Sequence, residues 1–125
     1  MATERILVIE DESGARTALE RLLTEEGYSV RTAATGARGL EQIRDFRPDT
    51  IVCDFRLPDT TGLQVLRAAR AASPKALTFI VVTADCGGAE AERVLRSEAD
   101  YFFNKPVDLS TFYRVISRGK GNSDA

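Results

Sequence analysis

Five short apolar runs, each followed by a stretch whose apolar residues recur at helical spacing, constrain this chain more than any other feature. Ile6-Leu7-Val8-Ile9 is continuously apolar, as expected of a strand covered on both faces. Ala15, Ala18, Leu19, Leu22 and Leu23 then repeat with a helical period, and Gly27 is placed to stop the helix. Tyr28, Val30 and Thr32 alternate with polar or charged residues and predict an edge strand. Ala37, Leu40 and Ile43 mark a second helix that ends before Pro48. Residues 49–54 carry the next buried strand, and Val65, Leu66 and Ala69 the third helix. Residues 77–83 hold a fourth strand centred on Phe79-Ile80-Val81-Val82, followed by a short helix around Val94 and Leu95. Tyr101-Phe102-Phe103 predicts the last strand, and Leu109, Phe112 and Ile116 the last helix.

Strict alternation of this kind calls for an α/β fold: a doubly wound, five-stranded parallel sheet with five helices on its two faces. The most apolar strands should be central and the half-polar second strand an edge. The flavodoxin-like order 2-1-3-4-5 satisfies both conditions. One domain over residues 1–118 accounts for the pattern, with 119–125 a short polar tail.

Composition narrows the chemistry. The 125 residues include no histidine, which excludes a phosphohistidine, a serine–histidine pair and an imidazole metal site. A net charge of −2 supplies no bulk basic field for nucleic acid or an anionic membrane, so direct binding to either is not expected. The longest apolar runs are too short to span a bilayer, and Met1-Ala2-Thr3-Glu4-Arg5 leads into the first strand without a signal-like segment. A cytoplasmic location is therefore expected. Cys53 lies inside an apolar run and reads as core, while Cys86 falls in a loop. Neither has metal-ligand spacing, and no disulfide is expected.

In open α/β sheets, ligands bind beyond the carboxyl ends of the strands, where the strand order reverses. Here those ends carry Glu10-Asp11-Glu12, Asp54, Thr83 and Lys105. Two carboxylates ~4 Å apart repel by ~4 kcal/mol at an effective dielectric near 20. Gathering Glu10, Asp11 and Asp54 therefore calls for a hard divalent cation, and Mg2+ suits a site of carboxylates, water and phosphate oxygens. A carboxylate is already an anion at neutral pH, so a nucleophilic Asp54 needs no general base. Individually the signals are weak. An acidic triplet is often a solvated loop, Asp54 could be a turn cap, Thr83 a strand-end threonine and Lys105 a surface lysine. Tyr101 and Phe103 read as packing or interface residues.

Four motifs, Ile6-Leu7-Val8-Ile9-Glu10-Asp11-Glu12, Asp54-Phe55-Arg56-Leu57-Pro58-Asp59-Thr60-Thr61-Gly62, Val82-Thr83-Ala84 and Asn104-Lys105-Pro106, occur in that order, each at a strand end. Together they resemble the receiver domain of bacterial response regulators, the phosphoacceptor half of two-component signalling, from Ile6 to about Ser117. The resemblance implies that Asp54 is phosphorylated by a histidine kinase or histidine phosphotransfer protein. Asp11, Asp54 and the Arg56 backbone carbonyl would ligate Mg2+, with Glu10 acting through water. Thr83 and Lys105 would hold the phosphoryl oxygens, making Asp54, Thr83 and Lys105 the catalytic set. Thr83 and Phe102 would form the switch, with Ala84 and Pro106 as modulating neighbours, and Lys105-Pro106 would be a cis peptide. The signal would leave through the face of the fourth helix, last strand and last helix. It would go to a downstream protein or output domain, or through a phosphorylation-dependent homodimer. Self-phosphorylation and dephosphorylation would be the only catalysis, without turnover on free substrates.

Three residues depart from the family pattern. Glu10 replaces the commoner Asp, Phe102 lacks a hydroxyl, and Glu98 stands where glycine is frequent. Arg56 and Asp85 lie two residues after Asp54 and Thr83 respectively, so their side chains are expected to meet over the pocket and modulate phosphoaspartate lifetime. The alternative is two unrelated surface charges. Among rival functions, a haloacid-dehalogenase-like phosphatase wants a second Asp where Arg56 stands, and the acidic triplet would repel a flavin phosphate. A degenerate receiver acting as a phosphorylation-independent binding module remains the alternative. Whether the chain is a stand-alone receiver or part of a longer regulator stays open at this point.

Overall fold

A computed structural model of the chain describes residues 4–73, 76–85 and 87–121, the last four as backbone alone. Cys86 lies outside the described residues. Strands β1 (Arg5–Ile9), β2 (Ser29–Ala33), β3 (Thr50–Cys53), β4 (Thr78–Thr83) and β5 (Tyr101–Asn104) alternate with helices α1 (Ser13–Glu25), α2 (Gly36–Phe46), α3 (Gly62–Ala72), α4 (Ala89–Glu98) and α5 (Leu109–Gly121). All neighbouring strands are parallel, in the order β2-β1-β3-β4-β5. The expected topology is thus found, with β2 and β5 at the edges. Among the described residues, no helix is long and apolar enough to cross a membrane.

Period-two alternation divides the core into two layers. Leu7, Ile9, Ile51, Cys53, Phe79 and Val81 pack under α2, α3 and α4, meeting Ile43, Val65, Leu66 and Leu95. Ile6, Val8, Val52, Ile80 and Val82 face the other way, against Leu23 of α1 and Phe112 and Ile116 of α5. This double coverage is why the central strands read as unbroken apolar runs.

Local rules set the helix ends. Thr35 and Thr61 cap α2 and α3 through Arg38 N (3.1 Å) and Gln64 N (3.3 Å). Pro48 excludes the right-handed helical region from Arg47, as expected. Arg47 turns left-handed instead (φ 54°), which lets its N–H still donate to the Ile43 carbonyl. The last helix begins at Leu109, as expected. Leu109 is 48% exposed, outside the core that Phe112 and Ile116 enter. The helix also runs to Gly121, three residues into the segment read as a tail, because extending a docked helix costs far less than starting one. Residues 122–125 lie outside the described residues.

Candidate functional site

The sheet ladder continues one residue past three strands, and these residues form the heart of the site. Glu10 N donates to Ala33 O (3.0 Å), Asp54 N to Ile9 O (3.1 Å) and Lys105 N to Thr83 O (3.0 Å). The registers Ile9 to Cys53, Cys53 to Val81 and Thr83 to Asn104 bring these ends to one rim. Backbone bonds thus fix the origins of the functional side chains before any side-chain contact forms.

On that rim Lys105 Nζ donates to Glu10 Oε1 (2.8 Å) and Asp54 Oδ2 (2.9 Å). Glu10 Oε2 accepts from Glu12 N (3.1 Å), and Asp54 Oδ1 from Arg56 N (3.2 Å). The side chains of Glu10 and Asp54 are only 5% and 11% exposed, that of Lys105 30%. Burial works to lower the Lys105 pKa, but the bonds to Glu10 and Asp54 outweigh it and hold the ammonium above its ordinary value. Carboxylate oxygens of Glu10, Asp11 and Asp54 all lie within 4.8 Å of one another. Three carboxylates face one ammonium, so the cluster keeps an excess of negative charge on hard oxygen donors. That donor set fits a magnesium ion.

The structure separates the acidic triplet. Glu10 is buried, Asp11 is exposed within the cluster, and Glu12 turns away to cap α1 through Gly14 N (3.1 Å) and Ala15 N (2.7 Å). Those two backbone bonds lower the Glu12 pKa. Beneath the loop, Arg16 donates from Nη1 to the carbonyls of Glu10 (2.9 Å) and Asp11 (3.2 Å). Sequence reasoning did not single out Arg16, whose spacing matches any exposed position on α1.

Thr83 is 2% exposed, and its hydroxyl is engaged within its own loop. The hydroxyl donates to Asp85 O (3.2 Å) and accepts from Asp85 N (3.3 Å). Arg56 and Asp85 meet as expected, Nη2 to Oδ2 at 3.2 Å, with Arg56 Nε also donating to Asp85 O (3.2 Å). The Gly87 amide and, secondarily, the Arg56 charge hold the Asp85 carboxyl below its usual range. Ala84 and Pro106 are exposed beside the site, and Lys105-Pro106 is cis.

Phe102 is half-buried against the α2–α4 layer, with the Arg96 guanidinium 4.3 Å from its ring centroid. Glu92 orients that arginine from one turn away (2.8 Å). Glu98 receives Arg67 of α3 through Nε and Nη2 of the guanidinium, so α4 ends on an ion pair with α3. Cys53 Sγ donates to the Asp54 carbonyl (3.2 Å). Burial, with the Asp54 and Glu10 charges adding to it, pushes this thiol up and keeps it unreactive.

Comparison with known proteins agrees with this fold. Residues 6–117 match the family model of the response regulator receiver domain. The transcriptional regulatory protein AfsQ1 of Streptomyces coelicolor is 42% identical over 122 residues, covering 94% of this chain and 53% of that protein. The response regulator MprA of Mycobacterium avium is 37% identical, covering 97% and 54%. The chain therefore spans about half the length of these curated relatives. Among solved structures, a CheY-like receiver domain protein from Methanospirillum hungatei superposes with a TM-score of 0.86 at 26% identity, covering 98% of both chains. The HemR receiver domain of Leptospira biflexa gives 0.79 at 31% identity, covering 94% of both.

Proposed function

Because this chain belongs to the response regulator receiver domain family, we propose that Asp54 accepts a phosphoryl group from a histidine kinase or histidine phosphotransfer protein. The supporting observation is one carboxylate, 11% exposed, held 2.9 Å from an ammonium within an acidic cluster at the sheet's carboxyl rim. In the transfer, Asp54 Oδ bonds to phosphorus as the bond from phosphorus to the donor's histidine nitrogen breaks. Lys105 pairs with the oxygens of the incoming group, and the Thr83 hydroxyl leaves Asp85 to donate to them. Asp11, Asp54 and the Arg56 carbonyl would hold Mg2+, with Glu10 acting through water, and the ion would supply positive charge to offset the phosphoryl oxygens. The loss of the Thr83–Asp85 contact and a shift of Phe102 then favour a second arrangement of the α4-β5-α5 face. A downstream protein, an output domain or a second copy reads that face, in the cytoplasm.

Intact mass after incubation with Mg2+ and acetyl phosphate tests this reading. A gain of one phosphoryl group, lost when Mg2+ is chelated, is expected. No gain, together with no beryllofluoride binding, would leave a phosphorylation-independent binding module in its place.

We propose further that the paired side chains of Arg56 and Asp85 limit in-line approach of water to the phosphoaspartate. Both side chains are well exposed, so the pair contributes little to stability. Arg56→Ala and Asp85→Ala should each shorten the phosphoaspartate half-life by several-fold, measured as phosphate loss after the donor is removed. Half-lives equal to the parent's would show that the pair does not gate hydrolysis.

A further inference from the structure

From the seam between the β3–α3 loop and α2, we infer that Asp59 is a positioning residue for the site, pinning the loop that carries Asp54 and Arg56 onto the first turn of α2. The inference rests on the reading of Asp54 as phosphoacceptor and the Arg56 carbonyl as a magnesium ligand.

The loop is a miniature hairpin. Arg56 and Thr61 form an isolated antiparallel bridge, and Leu57 N donates to Thr60 O (3.2 Å) across the turn. At its base, Gly62 N donates to Phe55 O (2.6 Å). A Cβ on Gly62 would stand 2.8 Å from the Asp54 carbonyl oxygen and 2.9 Å from Phe55 Cα, so backbone meets backbone there. The base is therefore fixed by close packing. At its tip, Leu57 is half-buried against the core and Thr60 Oγ1 donates to Gln64 Oε1 (2.5 Å), and a further anchor ties the tip across to α2.

Asp59 provides it. Oδ1 accepts from Gly36 N (2.8 Å) and Oδ2 from Ala37 N (3.0 Å), the first two amides of α2. These amides have no partner inside the helix, and the positive end of the helix dipole favours a carboxylate there. The same bonds hold the Asp59 carboxyl below its usual range, so the anion makes the contact. A Cβ on Gly36 would run into the Thr60 methyl and lie 3.3 Å from Asp59 Oδ1. Two positions 23 residues apart are thus shaped to one contact.

Helix capping alone does not account for this arrangement. Thr35 already caps α2 by accepting from Arg38 N. What Asp59 adds is a tie across to the loop, and ligands must be held within ~0.5 Å of their productive place to act together. Without that tie, the Arg56 carbonyl next to the tip would sample a wider range, and binding would bear the cost of ordering it.

Magnesium affinity of the unphosphorylated protein, measured by calorimetric titration, is the test. Asp59→Ala should weaken Mg2+ binding about tenfold, and Gly36→Ala, which pushes the tip away with Asp59 intact, should weaken it in the same direction. Thr35→Ala serves as the structural control, lowering the melting temperature by roughly 4 °C while leaving Mg2+ affinity within about twofold. Equal affinity in Asp59→Ala and the parent would overturn the inference, as would equal weakening in Thr35→Ala. A parent protein that binds no Mg2+ would overturn the underlying reading of the site as well, which separates the two failures.

Discussion

Asp54→Asn should remove the phosphoryl adduct altogether, a loss of at least ~10³-fold in the rate of reaction with acetyl phosphate. A carboxamide carries no anionic oxygen to form the acyl phosphate, and the carboxylates beside it, Glu10 and Asp11, are the ones assigned to holding the magnesium. The neighbouring Cys53 thiol is fully buried and held protonated, and the 2%-exposed Thr83 hydroxyl is committed to Asp85. Lys105 is already paired as a cation. The variant should nonetheless fold normally. Asp54 faces Glu10 and Asp11 within 4.8 Å and Lys105 at 2.9 Å. At an effective dielectric near 20 that is two repulsions of about 3.5 kcal/mol against one attraction of about 6 kcal/mol. Metal-free stability should therefore change by no more than about 1 kcal/mol, which thermal denaturation checks beside the intact-mass measurement. A phosphoryl adduct on the folded variant would move the acceptor to another residue and undo the assignment of Asp54.

The fold and the charged cluster on the rim were legible for one physical reason. A parallel sheet covered on both faces writes its strands as apolar runs, and the polar residue ending each run must lie at the carboxyl rim. Glu10, Asp54 and Lys105 each follow a strand directly, so sequence position alone gave their spatial position. Arg56 and Asp85 were within reach of the same logic, each two residues past a rim residue. Arg16, Asp59 and Arg96 were not. Each acts by crossing to another element or loop, and a long or charged side chain on a helix or turn looks the same whether it solvates or supports. The Asp59 contact spans 23 positions and leaves only one further trace, the glycine at 36. The direction of the Thr83 hydroxyl was equally hidden, because the threonine's place on the rim is the same whether it faces Asp54 or Asp85.

Lys105→Met should separate what the cluster does for the fold from what it does for the chemistry. Removing the ammonium leaves Glu10, only 5% exposed, with a single described side-chain contact, from the Glu12 amide, and leaves Asp54 facing two carboxylates. Breaking a fully buried ion pair costs about 3–5 kcal/mol, and because Lys105 is 30% exposed the loss here should be smaller, about 1–3 kcal/mol. The reaction with acetyl phosphate should slow by ~10²–10³-fold, the usual effect of deleting one preorganised donor to a developing anion. The double variant Glu10→Gln/Lys105→Met removes the stranded charge along with its partner, so thermal stability should return most of the way while phosphorylation stays slow. Mg2+ provides an independent readout. With the competing ammonium gone and all three carboxylates present, it should raise the melting temperature of Lys105→Met more than that of the parent. If Lys105→Met instead phosphorylates at the parental rate, the lysine is only a counter-ion for Glu10, and its donation to Asp54 plays no part in the transfer.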